Sequence, residues 1–164
     1  MKVLVIGNGG REHALCMFIK KSPICKKLYC IPGSDSIKEL ADCFDINPMN
    51  NIDVVNFCIK QKIDFVVIGP ELPLSNGIVD ELKKEKIVTF GPDKISSQLE
   101  TSKIFMKKIC KKHNIPTAQT VMGYSTMKRD NPYFLGAIGG FGGKQTNNFM
   151  KKTDLAIAVG TKLA

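Results

Sequence analysis

Apolar positions along the chain alternate between two patterns. The unbroken aliphatic run at residues 3–6 has the length and β-branched content of a strand buried on both faces of a parallel sheet, and the mainly apolar stretches at 27–31 and 63–68 predict two further strands. Between them, apolar residues recur at helical spacing. Residues 11–21 predict a helix with Ala14, Leu15, Phe18 and Ile19 toward the sheet, ended by Pro23, and residues 51–62 predict another with Ile52, Val55, Cys58 and Ile59 inward. Residues 43–46 and 87–90 predict further short strands. Ser75 opens a helix over 76–84, and Asp93 is a candidate N-cap for a lysine-rich helix over 95–113. Strand and helix alternating through about residue 113 predict an α/β domain built on a doubly wound parallel sheet.

Beyond that point the pattern changes. Asn131 and Pro132 lead into a loop holding Gly136, Gly139, Gly140, Gly142 and Gly143. A short helix over 147–152 and a buried-type strand over 155–160 follow. The predicted organisation is a domain over 1–113, a junction over 114–123 and an incomplete α/β appendage over 124–164. A piece of that size buries too little apolar surface to fold alone, so the tail is expected to be poorly ordered or docked by pairing 155–159 with a free sheet edge.

Composition narrows the function classes. No apolar run approaches the roughly 18 residues needed to span a bilayer, and the charged start leads into a strand-length run, so the chain reads as a cytoplasmic protein with no membrane association. The formal charge of +9 raises nucleic acid as a partner. Arg11 and Arg129 are the only arginines, however, and the lysines lie on solvated helix faces without interleaved aromatics, so no nucleic acid is expected. Six cysteines without a Cys-x-x-Cys pair argue against a disulfide framework and against a zinc site.

The candidate chemistry lies in two loops. Gly7, Gly9 and Gly10 follow the first strand and open a helix, where free N–H groups and the positive dipole end favour an anion; the same glycines equally suit a tight strand-to-helix turn. The dinucleotide fingerprint fails at its third glycine, where Glu12 stands, and no acid closes the second strand to hold a ribose. Glu12 reads as a ligand contact or as an electrostatic cap of the helix, and His13 as catalytic or as packing. Glu71, in a loop stiffened by Pro70 and Pro73 at the carboxyl end of the strongest strand, reads as a carboxylate for an amine or ribose hydroxyls, or as an exposed loop acid. Residues 139–144 are not a Walker A loop, because no Ser or Thr follows Lys144. Spacing alone supports no metal site and no nucleophile–base pair.

Several separated words resemble one family in the correct order. They are residues 3–14, Pro32-Gly33, residues 67–74 with 77–80, Phe90-Gly91-Pro92, and Ser102-Lys103 through 115–118. Over residues 1 to about 119 the chain resembles the N-terminal part of phosphoribosylamine-glycine ligase (glycinamide ribonucleotide synthetase) of de novo purine biosynthesis. The resemblance implies a Rossmann-like domain ahead of an ATP-grasp module, with ATP and Mg serving the full-length enzyme in joining phosphoribosylamine and glycine into glycinamide ribonucleotide. It implies that Gly9, Gly10 and Arg11 hold the substrate phosphate and Glu71 the ribosylamine end. The ATP-binding continuation of that family is absent, so the chain is expected to be inactive alone, with no cofactor assigned to it.

Residues 115–164 resemble instead the central domain of thiamine-diphosphate enzymes of the acetolactate synthase type. The words are residues 121–123 and 131–136, then Gly139, Gly142, Asn147 and 154–160. That likeness implies a flavin site or its relic. Phe141 and Gly143 stand where histidine and threonine are usual, which counts against flavin. A non-catalytic module for a phosphorylated riboside, or a fragment of a thiamine-diphosphate or flavin enzyme, are the alternative functions.

Overall fold

The aliphatic run after Met1 forms strand β1 (Lys2–Gly7), and the glycines that end it deliver the chain into helix α1 (Gly10–Lys20). The computed structural model describes residues 1–123 and 131–158, and the chain divides into two units, Met1–Ser97 and Gln98–Ala164. In the first unit the order continues with β2 (Lys27–Pro32), the short helix α2 (Asp35–Lys38), β3 (Asp42–Cys43), α3 (Asn51–Gln61) and β4 (Phe65–Ile68). Helices α4 (Glu71–Ser75) and α5 (Ile78–Lys84), strand β5 (Val88–Phe90) and helix α6 (Lys94–Thr101) follow, α6 crossing into the second unit.

All pairings are parallel and the strand order is β3-β2-β1-β4-β5. The chain builds outward from β1 to β3 and then returns to lay β4 on the other side of β1. The switch point of this doubly wound sheet is therefore between β1 and β4, where Ile6 stands opposite Ile68. At such a point the loops leaving the two strands diverge and open a crevice beyond their carboxyl ends.

Alternation along the strands sends side chains to two cores. Leu4, Ile6, Tyr29, Ile31, Val66 and Ile68 pack with Val54, Phe57 and Cys58 of α3 and Ile78, Val79 and Leu82 of α5. Val3, Val5, Leu28, Cys30 and Val67 pack with Cys16 of α1 and with Ile37 of α2. Burial on both faces explains why these strands read as continuous apolar runs.

Two helix phases differ from the sequence expectation. Phe18 is 66% exposed beside Lys21, while Glu12, Leu15, Cys16 and Ile19 form the inward stripe of α1. In α3, Val54, Phe57 and Cys58 are inward, leaving Ile52 and Ile59 exposed. Both segments carry more apolar residues than one face can bury, so apolar spacing alone permits more than one phase. The stretch expected to be a proline-stiffened loop contains α4: Pro70 is its N-cap and Pro73 lies within its first turn, where a missing N–H breaks no helical bond. The long helix predicted over 95–113 is two. Ser102 interrupts it, its hydroxyl accepting a hydrogen bond from the Phe105 N–H (3.2 Å) and so capping α7 (Lys103–Lys112).

The second unit continues with β6 (Thr117–Gln119), a 3-10 turn (Val121–Gly123), β7 (Phe134–Ala137) and α8 (Lys144–Lys151). Strands β6 and β7 pair in parallel, so part of the predicted glycine loop is strand, with Gly136 inside it. Residues 155–158 form no strand: Leu155 is 73% and Ile157 82% exposed, because no neighbouring backbone offers this run a ladder among the described residues. Residues 159 and 160 of that predicted strand, and Arg129, lie outside the described residues. Among the described residues no helix is long and apolar enough to cross a membrane.

Candidate functional site

The crevice at the switch point is built from two loops held together by one acid. Gly7 leaves β1 at φ +132°, a conformation that L side chains rarely adopt. Gly9 is the N-cap of α1, its carbonyl accepting from the His13 N–H at 3.0 Å. The N–H groups of Gly10 and Arg11 follow in the first turn, where the helix itself offers them no acceptor. A second layer supports the loop from below: the Gly7 carbonyl accepts from the Gly33 N–H (3.2 Å) and from the Cys30 thiol (3.3 Å). Pro32-Gly33 and Cys30 thus fix where the loop begins.

Glu12 is the buried centre of the arrangement, with 4% of its surface exposed. Its Oε2 accepts from the Gly9 N–H at 2.8 Å, and its Oε1 accepts from Arg11 Nε at 3.1 Å. The first of these is the glutamate half of a capping box, which the spacing of Gly9 and Glu12 makes available. Sequence reasoning took Glu12 as a ligand contact or an electrostatic cap of the helix and missed its burial. The spacing of Gly9 and Glu12 is the signal that could have pointed to the hydrogen bond.

Arg11 reaches from this loop to the other. Its Nη1 and Nη2 both lie 3.3 Å from Oε1 of Glu71, the first residue of α4. Both side chains are substantially exposed to solvent, at 59% and 43%. The Glu12 hydrogen bond and then the Glu71 pairing raise the Arg11 pKa above its ordinary value. Glu71 accepts from its own backbone N–H and lies beside the guanidinium, which together hold its carboxyl below the usual carboxylate range. At neutral pH the crevice therefore presents one fixed cation, one carboxylate and the N-terminus of an 11-residue helix.

The structure thus brings Gly9, Gly10, Arg11 and Glu71 to one end of the sheet. His13 is half-buried in the first turn of α1. Among the described residues no group of three or more His, Cys, Asp or Glu is arranged to hold a metal ion. All six cysteines are free, and burial pushes the Cys58 thiol up to about 12. In the second unit, the turn between β7 and α8 is held internally. Asn147 Oδ1 accepts from the Gly139 N–H, its Nδ2 donates to the Gly139 carbonyl (3.0 Å each), and the buried Thr146 hydroxyl donates to the Leu135 carbonyl.

The fold is that of the α/β domain that precedes an ATP-grasp module. The biotin carboxylase subunit of pyruvate carboxylase shares this fold, with a TM-score of 0.55 over 71% of this chain and 28% of that one, at 16% identity. Residues 1–100 match the family profile of the phosphoribosylglycinamide synthetase N domain, and the chain belongs to that family. The phosphoribosylamine–glycine ligase of Rhizobium meliloti is 51% identical over 117 residues, 71% of this chain and 28% of that protein. The ligase of Caldanaerobacter subterraneus is 44% identical over 119 residues, 73% of this chain and 28% of that protein. The crystal structure of the Thermotoga maritima ligase superposes with a TM-score of 0.50 at 26% identity, over 73% of this chain and 28% of that one. The chain therefore spans about 28% of the length of these relatives. A second, weaker match, to the central domain of thiamine pyrophosphate enzymes, covers residues 83–164.

Proposed function

We propose that the first unit is the substrate-side domain of a phosphoribosylamine–glycine ligase and binds phosphoribosylamine or glycinamide ribonucleotide in the crevice between β1 and β4. The observation that carries this reading is the Arg11–Glu71 pair at the switch point, beside the helix-terminal N–H groups, in a chain of this family. The N–H groups of Gly10 and Arg11, with the guanidinium, suit the phosphate dianion. Glu71, ionised and facing the same opening, suits the amine or ribose hydroxyls at the other end. Ligation itself requires ATP, Mg and glycine to be handled together; this reading assigns none of that chemistry to the residues present, and the chain alone is expected not to turn over.

The test is calorimetric titration of the purified chain with glycinamide ribonucleotide, repeated on Glu71→Ala and Gly10→Val. Weakened binding in both variants supports the assignment, whereas equal affinity for all three proteins removes it. ATP- and glycine-dependent product formation above background would overturn the claim that the chain is inactive alone. The match over residues 83–164 favours a thiamine-enzyme origin for the tail, and a preparation without flavin absorption would count against a flavin role for it.

A further inference from the structure

The glycines of the two loops differ in what surrounds them. A Cβ built on Gly7 would lie 2.4 Å from Glu12 Cγ, one on Gly69 would lie 2.2 Å from Glu12 Oε1, and one on Gly9 would lie 3.0 Å from Glu12 Oε2. A Cβ on Gly10 would meet nothing within 4 Å. Three of these four glycines therefore make room for one buried carboxylate that belongs to the protein. Only Gly10 faces open space.

We propose that Glu12 is the positioning residue of the crevice: its buried carboxylate sets the course of the Gly7–Gly10 loop and of the Gly69–Glu71 loop and aims Arg11 at Glu71, without touching the ligand. The physical argument is one of satisfaction. A buried carboxylate is tolerated only when its oxygens are paired, and both oxygens of Glu12 are used, one by the Gly9 N–H and one by Arg11 Nε. With its oxygens committed and its stem packed against Gly7 and Gly69, the side chain has one position. The N–H groups at the head of α1 and the guanidinium are consequently ordered before any ligand arrives, so binding does not have to order them. As to the ligand, the inference rests on the functional reading above; as to the loops, it stands on geometry alone.

The decisive variant is Glu12→Gln, which keeps the side chain's size but leaves one acceptor where two are needed. In the full chain we expect Glu12→Gln to move the Gly9 amide nitrogen resonance upfield and to shift the amides of Gly69 and Glu71. We expect it to weaken ribose 5-phosphate binding by about tenfold, the order of one charge-assisted hydrogen bond. Glu12→Asp, one methylene shorter, should not rescue either property. Unmoved Gly9 and Gly69 amides, or ribose 5-phosphate affinity within twofold of the parent, would overturn the proposal.

Should the parent chain bind no ribose 5-phosphate, the functional reading fails, and the amide shifts still decide the role of Glu12 in the loops. Should Glu12→Gln not fold, hydrogen exchange of the Gly9 amide in the unsubstituted protein decides instead. Protection by at least about tenfold supports the Glu12 bond, and exchange at the unprotected rate overturns it.

Discussion

Replacing Gly69 by alanine tests the packing around Glu12 directly. The backbone of Gly69 is outside the left-handed region, so alanine carries no conformational penalty there, and any loss of stability must come from space. The added Cβ would lie 2.2, 2.6 and 2.7 Å from Oε1, Cγ and Cδ of Glu12. These atoms belong to a buried carboxylate that cannot retreat without giving up the Gly9 N–H or Arg11 Nε. Overpacking of this kind costs about 1–3 kcal/mol, and losing a charge-assisted hydrogen bond adds about 1.5–3 kcal/mol. A total of about 2.5–6 kcal/mol is a large fraction of the roughly 5–15 kcal/mol that holds a domain of this size. With a urea m value of about 2 kcal/mol per molar, the midpoint should fall by about 2 M at unchanged slope. A midpoint within about 0.3 M of the parent would mean that Glu12 yields freely and that the cradle around it is not rigid. Gly10→Ala serves as the control: its Cβ meets nothing and it occupies the first helical position of α1, so stability should rise by about 0.4–1 kcal/mol.

Other perturbations follow from the same structure. Glu71 has a folded-state pKa below its unfolded value of about 4.3, so its pairing stabilises above that pH and is lost as pH falls through the folded value. Because the pair is exposed, the urea midpoints of parent and Glu71→Gln should differ by well under 1 kcal/mol equivalent at pH 6 and converge by acid pH; a gap that widens on acidification would contradict the sign. Iodoacetamide at pH 8 should leave buried Cys58 unmodified until the chain unfolds, and peptide mapping that finds it labelled early would contradict its burial. Thr117→Val removes a buried hydroxyl that has no hydrogen-bond partner among the described residues; thermal unfolding should show an equal or higher midpoint, and a clear drop would reveal a partner. Limited proteolysis is expected to cut first between residues 118 and 143; initial cleavage within 1–110 would refute the proposed division of the chain.

The sheet was legible because burial on both faces leaves an unbroken apolar signature, as at residues 3–6 and 65–68. Helix phase was less so: Phe18 and Ile52 fit an apolar stripe as well as their neighbours do, and only the seat of the helix on the sheet decides which are covered. Helix α4 was hidden because Pro70 and Pro73 read as loop punctuation, although both are compatible with a helix start. Each loop was legible by itself, and the structure brings the two together, where Arg11 meets Glu71. Glu12 at their centre escaped because a glutamate is seldom buried, and nothing in local spacing reports the neighbour that arrives from β4. The exposure of Leu155 and Ile157 shows the converse: an apolar run becomes a strand only when another backbone is there to receive it.

The pairing of β6 with β7 has a consequence for how this part of the chain tolerates a change of sequence. Strands β6 and β7 both lie beyond residues 1–100, which match the ligase profile, and within residues 83–164, which match the thiamine-enzyme domain, and between the two runs a parallel ladder. Such a ladder is made of peptide groups that every residue except proline carries alike, so it does not depend on which side chains the two strands bring. Side chains do matter, and the ladder shifts register between Thr117 and Ala118, beside a Thr117 hydroxyl that has no hydrogen-bond partner among the described residues. A change of side chains in a short strand of this kind leaves the main chain knit, and its mismatches stay confined to a few side chains that later substitution can mend one at a time.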